Sequence, residues 1–389
     1  MSKAVVSKAA VMERMMMEAQ KKFGAEGCYV APDHAQTHYG IPVCNMALEY
    51  LLCSTVLPME RILELSGPFG SGKSSLGYEF IRMLVENGGL GSVIETENKS
   101  AAALMGSILG PDNVDCVRLH RAKSMDDGQS RITHDLLTYQ TAVPNKDIPM
   151  GLLLDSLVGN KTEETQNKIN KEGFADRTFS KESLVISSYF GSLSDKLIGY
   201  PILFMFTNHE KEKVSDGKIY GSKIRNPGGA APDFHNTYHI RVTKIGTFTS
   251  KLENGFTVNL KTKKNSMGSD KRSIEVDMRW EYKEDEEGKM FQKTWFDWDK
   301  ATASLLAGEE VPRSIIKEIV QVTKISNAKY NCPTLKLSGV TPQVIGAAIN
   351  ADEDICKKLR TALGIFTWKS IGTCEQFSEL LDDEKSNGK

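Results

Sequence analysis

An α/β fold wound on a mainly parallel sheet is the architecture this 389-residue chain predicts. From about residue 43 to 300, helix-like and strand-like segments alternate, the order expected when parallel strands are joined by crossing helices. A glycine-rich turn, Gly67–Ser74, links an apolar strand-like run to a helix-like run carrying Leu76, Phe80, Ile81 and Leu84. Two later strand-like runs end in acids, at Glu95-Thr96-Glu97 and at Asp155. In a parallel sheet such ends gather at one edge, where ligands bind.

In chain order, residues 2–23 read as a helix, because Val5, Val6, Ala9, Met12, Met15 and Met16 roughly follow helical spacing and Gly24 and Gly27 stop it. The methionine stripe is either core or a face docked on a neighbouring subunit. Residues 28–42, with Pro32, Asp33, Gly40 and Pro42, read as an extended linker. Strands are expected at Arg61–Leu65, Ser92–Glu95, Asp115–Leu119, Met150–Asp155, Ile202–Asn208 and Tyr238–Thr243. Phe256–Lys261, Arg272–Tyr282 and Lys293–Asp297 read as later strands with scope to run antiparallel, residues 284–289 forming a charged turn between two of them. Beyond Gly308 the chain shifts to short helical pieces between Pro312, Pro333 and Pro342, one of them Ile345–Leu363, and closes in a charged tail that reads as disordered. The expected divisions are 1–36 (helix and linker, a subunit-docking segment), 37–308 (core) and 309–389 (small C-terminal helical region and tail).

Charge is balanced, 49 basic against 50 acidic residues, so a nucleic-acid surface would have to be local. The seven cysteines (28, 44, 53, 116, 332, 356, 374) form no C-x-x-C pair and no zinc spacing with the histidines. That fits a reducing cytosol, with Cys44 and Cys53 as core fillers. No segment has the length of an apolar transmembrane span, and Glu13 and Arg14 interrupt the apolar N-terminus, so neither a membrane anchor nor a signal peptide is expected.

Gly67-Pro68-Phe69-Gly70-Ser71-Gly72-Lys73-Ser74 meets every fixed position of the phosphate-loop pattern. Its glycines let successive backbone N–H groups turn inward onto phosphate oxygens. Lys73 brings a point charge to the terminal phosphates, the Ser74 hydroxyl can ligate magnesium, and Ser75 completes the nucleotide-contacting run. The alternative, a plain turn between strand and helix, leaves Lys73 and Ser74 without a reason. Asp155, closing Gly151-Leu152-Leu153-Leu154, has the form of a magnesium-orienting acid, although an Asp there also caps helices. A carboxylate at the end of the Ser92–Glu97 run can activate water for attack on a terminal phosphate, and Glu97 is better placed than Glu95. Residues 209–231 hold Lys211, Lys213, Lys218, Lys223 and Arg225 against Glu210, Glu212 and Asp216, with Gly217, Gly221, Gly228 and Gly229. A basic loop of that length between core strands tends to be functional. Lys261 and Lys263 lie on one side of a strand-like run, which by itself fits a solvated strand end.

The stretch Thr37–Leu76, with Leu57-Pro58-Met59-Glu60-Arg61-Ile62-Leu63-Glu64-Leu65-Ser66-Gly67-Pro68 before the loop, resembles the opening of the RecA recombinase core. The order that follows is similar too: an acid-ended strand at Glu97, the Asp155 strand, then Phe204-Met205-Phe206-Thr207-Asn208-His209. The resemblance spans about 40–300. It looks closest to phage-type, UvsX-like recombinases, which share the Asn-His ending.

The resemblance implies a RecA-like ATPase core that takes ATP and Mg2+. Within it Glu97 is the water-activating base, Asp155 the magnesium-side acid and His209 the sensor of the γ-phosphate. It makes residues 209–231 the second DNA-binding loop and 160–178 the first, where Lys161, Lys171, Phe174 and Arg177 are weaker candidates. Lys261 and Lys263 become lysines that reach a neighbour's γ-phosphate. One departure stands out: the family's adenine-stacking tyrosine, seven residues past the catalytic Glu, is Leu104 here.

The implied function is an ATP-dependent strand-exchange protein forming helical filaments on single-stranded DNA and pairing it with duplex. A single-strand-binding protein and a loader are implied partners. The implied place is the cytoplasm, a host's if the chain is phage-encoded. Two alternatives use the same core: a hexameric helicase, disfavoured by the short segment before residue 40, and a mediator or scaffold that hydrolyses poorly. Lys73, Glu97 and Asp155 together weigh against the last.

Overall fold

The computed structural model describes residues 8–23, 39–97, 101–157, 161–165, 167, 179–212, 224–225, 230–249, 254–284, 288 and 290–371. The chain forms two compact units, Met1–Tyr39 and Gly40–Lys389. In the first, α1 runs Lys8–Phe23, with Lys21 and Lys22 in its last turn, where positive charge opposes the negative end of the helix dipole.

The second unit opens with β1 (Tyr39–Pro42), α2 (Met46–Leu52) and β2 (Val56–Pro58). The last four residues of the expected linker are thus a strand, in which Gly40 pairs with Pro58; the two strands approach so closely that a Cβ on Gly40 would lie 2.2 Å from the Leu57 carbonyl oxygen. Then follow β3 (Arg61–Gly67), α3 (Lys73–Glu86), β4 (Leu90–Glu95), α4 (Ala101–Leu109), β5 (Val117–Arg121), α5 (Met125–Ala142), β6 (Met150–Asp155), α6 (Phe179–Leu197) and β7 (Ile202–His209). Next come β8 (Lys211–Glu212), β9 (Ile224–Arg225), α7 (Ala231–His235), β10 (Tyr238–Thr249), β11 (Asn254–Asn265), β12 (Ser273–Glu284) and β13 (Met290–Phe296).

Nine of these strands make one sheet in the order β13-β12-β11-β10-β3-β7-β6-β4-β5. Neighbours from β10 to β5 are parallel, and β10 to β13 form an antiparallel meander, as the sequence anticipated for the later strands. The central strands β6 and β7 read as unbroken apolar runs because both their faces are covered. On one face, Ile132, Leu136 and Tyr139 of α5 and Ile186, Phe190 and Leu193 of α6 pack against Leu152, Phe204 and Phe206. On the other, α3 lies close enough that a Cβ on its Gly77 would meet Leu153 at 2.8 Å. Glu60 takes φ 57 and its carboxylate accepts the Gly199 N–H at 3.0 Å.

The C-terminal residues of this unit hold α8 (Trp298–Ala307), α9 (Arg313–Ile319), β14 (Thr323–Ser326), β15 (Lys329–Cys332), β16 (Leu337–Val340), α10 (Pro342–Asn350), α11 (Glu353–Ala362) and β17 (Lys369–Ser370). The helices beyond Gly308 were expected; α8 and the three-stranded sheet β14-β15-β16 were not. The expected single piece Ile345–Leu363 is two helices, because the Asp352 side chain accepts the Ile355 N–H at 3.0 Å and starts a new one. Arg360 of α11 grips buried Glu49 of α2 with two bonds of 2.7 and 2.9 Å. Cys53 is buried as anticipated, but Cys44 is exposed at φ 50 and carries no free thiol, so it is not a core filler. Among the described residues no helix is long and apolar enough to cross a membrane. The stop at Gly24 and Gly27, residues 28–38, most of the 284–289 turn and the tail from 372 lie outside the described residues.

Candidate nucleotide site and nucleic-acid interface

The parallel register carries the chemistry to one edge. Gly67 at the end of β3 pairs with His209 at the end of β7, and Glu95 of β4 is level with Asp155 of β6. The loop after β3 needs its glycines. Gly67 approaches β10 so closely that a Cβ would fall 2.1 Å from the Val242 carbonyl oxygen, and Gly70 and Gly72 take φ 68 and 95.

Lys73 opens α3 only 5% exposed, its Nζ donating to the carbonyl oxygens of Gly67 (3.0 Å) and Pro68 (2.7 Å). Ser75 is buried behind it, and the buried Ser71 Oγ has no hydrogen-bond partner. A buried orphan hydroxyl, an ammonium laid across the loop and a helix N-terminus fit a polyphosphate chain. Ser74 in the first turn of α3 and Asp155 offer the hard oxygen ligands that magnesium takes.

Glu97 stands just past β4. Its Oε1 accepts the Ser156 hydroxyl at 2.6 Å and lies 2.7 Å from His209 Nε2. The His209 ring in turn stacks on Phe69 of the loop, centroids 6.2 Å apart at 24°. Asp155 Oδ1 accepts from Thr207 Oγ1 at 2.5 Å and Oδ2 from the Tyr78 hydroxyl at 3.4 Å. Burial, and next the Asp155 charge, push the Tyr78 phenol far up, so it stays a donor. Thr96 Oγ1 donates to Ser156 O at 2.7 Å and accepts its N–H at 2.8 Å, locking the two acid-bearing strand ends together. Ser156, Thr207 and Tyr78 escaped the sequence reading. Ser156 and Thr207 adjoin residues already singled out, which is the signal that could have found them.

Lys261 and Lys263 are both exposed on β11, with Thr262 buried between them, as their two-residue spacing implied. Lys261 pairs with Arg241 of β10, which clasps Glu210 at 2.6 and 2.7 Å. The Glu210 N–H donates to Gly67 O at 3.2 Å, so the residue after His209 is joined to both the phosphate loop and β10. Of the expected DNA-contacting residues, Lys211 and Arg225 are paired in the backbone register of the short antiparallel β8–β9 pair. Arg177, Lys213, Lys218, Lys223, Gly228 and Gly229 lie outside the described residues, as do Lys171 and Phe174. Leu104 sits partly buried on α4.

A strand, a glycine loop and a helix N-terminus at the carboxyl edge of a parallel sheet, flanked by two acid-ended strands, define an α/β protein of the phosphate-loop class. The profile of the RecA N-terminal domain matches residues 10–283. The protein RecA of Mycoplasma mobile is 23% identical over 260 residues, covering 66% of this chain and 74% of that protein. Protein RecA of Lactobacillus acidophilus is 23% identical over 276 residues (70% and 71%), and that of Tropheryma whipplei 24% over 277 (70% and 59%). The chain belongs to the RecA family.

Proposed function

We propose that this protein is an ATP-dependent DNA recombinase of the phage type, which forms a helical filament on single-stranded DNA and exchanges strands with homologous duplex. The observation that carries this reading is the contact of His209 with Glu97 and with Phe69. It joins a base for hydrolysis, the phosphate loop and the first residue of the basic segment 209–231.

In this mechanism Lys73 leaves the Gly67 and Pro68 carbonyls and takes the terminal phosphates, while Ser71 and the loop N–H groups from Gly67 to Ser75, all but that of Pro68, which has none, hold phosphate oxygens. Ser74 and Asp155 would hold Mg2+, which would supply positive charge against the phosphate oxygens. Glu97 accepts a proton from the attacking water, and Ser156 and His209 fix its carboxylate meanwhile. His209 changes partner when a γ-phosphate is present, and Glu210, held by Arg241, passes the change to the DNA-binding loop. Lys211, Lys213, Lys218, Lys223, Arg225, Gly228 and Gly229 grip single-strand phosphates there, with Arg177 contributing from the first loop. Lys261 and Lys263 complete the site of the next subunit, which makes turnover depend on assembly. Base pairing reads the sequence, so the protein has only to hold backbones. A single-strand-binding protein and a loader in a cytoplasm, a host's if the gene is phage-borne, complete the proposal.

The test is joint-molecule formation between single-stranded DNA and homologous supercoiled duplex with ATP and Mg2+. Homology-dependent products that vanish in Lys73→Ala support the reading. DNA-stimulated hydrolysis with strand displacement and no homologous pairing would give the helicase reading instead.

A further inference from the structure

We infer that Glu64, Asp233 and His239 form a binding site for a divalent transition-metal ion of the zinc class, at the root of α7 and apart from the nucleotide site. Glu64 of β3 and His239 of β10 face each other in the parallel register, and Asp233 projects from α7. His239 Nδ1 lies 3.9 Å from Glu64 Oε2 and 3.8 Å from Asp233 Oδ1, and the three ligand atoms all fall within 4.8 Å of one another. Tetrahedral zinc ligands at about 2.0–2.1 Å from the metal stand roughly 3.4 Å apart, so the two histidine–carboxylate gaps need to close by about half an ångström, and exposed Asp233 can swing in to bring its carboxylate to that of Glu64.

Two further features orient it. Ser66 Oγ lies 2.7 Å from His239 Nε2; as acceptor of the Nε2–H it leaves the Nδ1 lone pair directed at the carboxylates, the role a supporting residue plays behind a metal-bound histidine. Asn236 is 2% exposed and reaches into the cluster through Nδ2, 2.9 Å from Glu64 Oε2, yet its Oδ1 has no hydrogen-bond partner. Oxygen and nitrogen of an amide exchange places by a half-turn, so a cation beside Glu64 gives that buried oxygen a partner.

The surroundings limit which ion fits. Lys263, Lys264 and Arg241 bring positive charge toward His239, but Lys264 Nζ is spent on the Asp233 and Phe234 carbonyl oxygens (2.6 and 3.4 Å) and Arg241 on Glu210. One imidazole and two carboxylates suit zinc better than magnesium, which keeps most of its water and prefers oxygen ligands alone. A bound ion would tie α7, which begins two residues past Gly229, to strands β3 and β10.

The test uses the full chain stripped with a chelator, titrated with Zn2+ in excess Mg2+ by calorimetry and with Co2+ by its visible absorption. One saturable site per chain with a tetrahedral cobalt spectrum is expected. Asp233→Asn is expected to weaken binding at least about tenfold; Asp233 is exposed, so the variant should fold, which circular dichroism checks. Zn2+ should also slow hydrogen exchange at residues 231–235 in the parent but not in Asp233→Asn. No saturable site, or the same affinity in Asp233→Asn, overturns the proposal; the second result would place bound zinc on other residues, such as the cysteines.

Discussion

In the proposed mechanism Lys73 supplies charge and Glu97 accepts a proton, so their losses should differ. Lys73→Ala removes the only side-chain charge the loop aims at phosphate, so DNA-stimulated hydrolysis should fall to background and nucleotide binding should weaken; unchanged turnover would remove the nucleotide site from residues 67–75. Glu97→Gln keeps an acceptor for Ser156 and His209 but cannot take a proton. Steady-state rates should drop about 10²–10⁴-fold with nucleotide affinity retained, and a rate within a few-fold of the parent would move the base elsewhere. Residues of this kind were legible because their chemistry is bound to residue type at fixed spacing: Gly67, Gly72, Lys73 and Ser74 in the loop, and acids where strands end. Their partners were not. Tyr78 meets Asp155, and Ser156 meets Glu97, through strand register and helix phase, which no local pattern encodes.

At the scale of elements, two contacts fix how the C-terminal helices sit on the core. A Cβ on Gly346 of α10 would lie 1.8 Å from the Asp299 carbonyl oxygen of α8, a backbone atom that cannot swing aside. Gly346→Ala should therefore cost about 1–3 kcal/mol or more, read as a lower urea midpoint at unchanged slope; an unchanged midpoint would show that the helices slide freely. Arg360→Ala leaves Glu49, 2% exposed, without its bidentate partner and should cost about 3–5 kcal/mol. Pairing Arg360→Met with Glu49→Gln should recover part of the loss, whereas additive losses would mean that the pair itself contributes little. Strand positions were readable where burial on both faces gives an unbroken apolar run: Met150–Asp155 agrees residue for residue. The antiparallel strands β10 to β12 outrun their expected ends, because exposed hairpin arms such as Lys244–Thr249 lack an apolar signature. The break at Asp352 was hidden because helical spacing continues on both sides of it, and β14–β16 because these four-residue strands sit among prolines and polar residues.

For the whole molecule, the proposed function turns on assembly. The phosphate loop and its acids lie at the carboxyl edge of the parallel strands, while Lys261 and Lys263 stand exposed on β11, two strands from β3. Lys263→Ala should bind nucleotide as the parent does yet lose hydrolysis in the DNA-bound, assembled state; a mutant equally active dilute and assembled would take the lysine out of the site between subunits. In the proposed assembly half of each site's residues lie on another chain, so the sequence hints at it through the resemblance and through the methionine stripe of the N-terminal helix alone. The most direct measurement is electron microscopy of the protein on single-stranded DNA with Mg2+ and a slowly hydrolysed ATP analogue. Open helical filaments that follow the DNA and are lost in Lys73→Ala are expected of a strand-exchange protein. Closed rings, or discrete particles that leave the strand bare, would contradict that function.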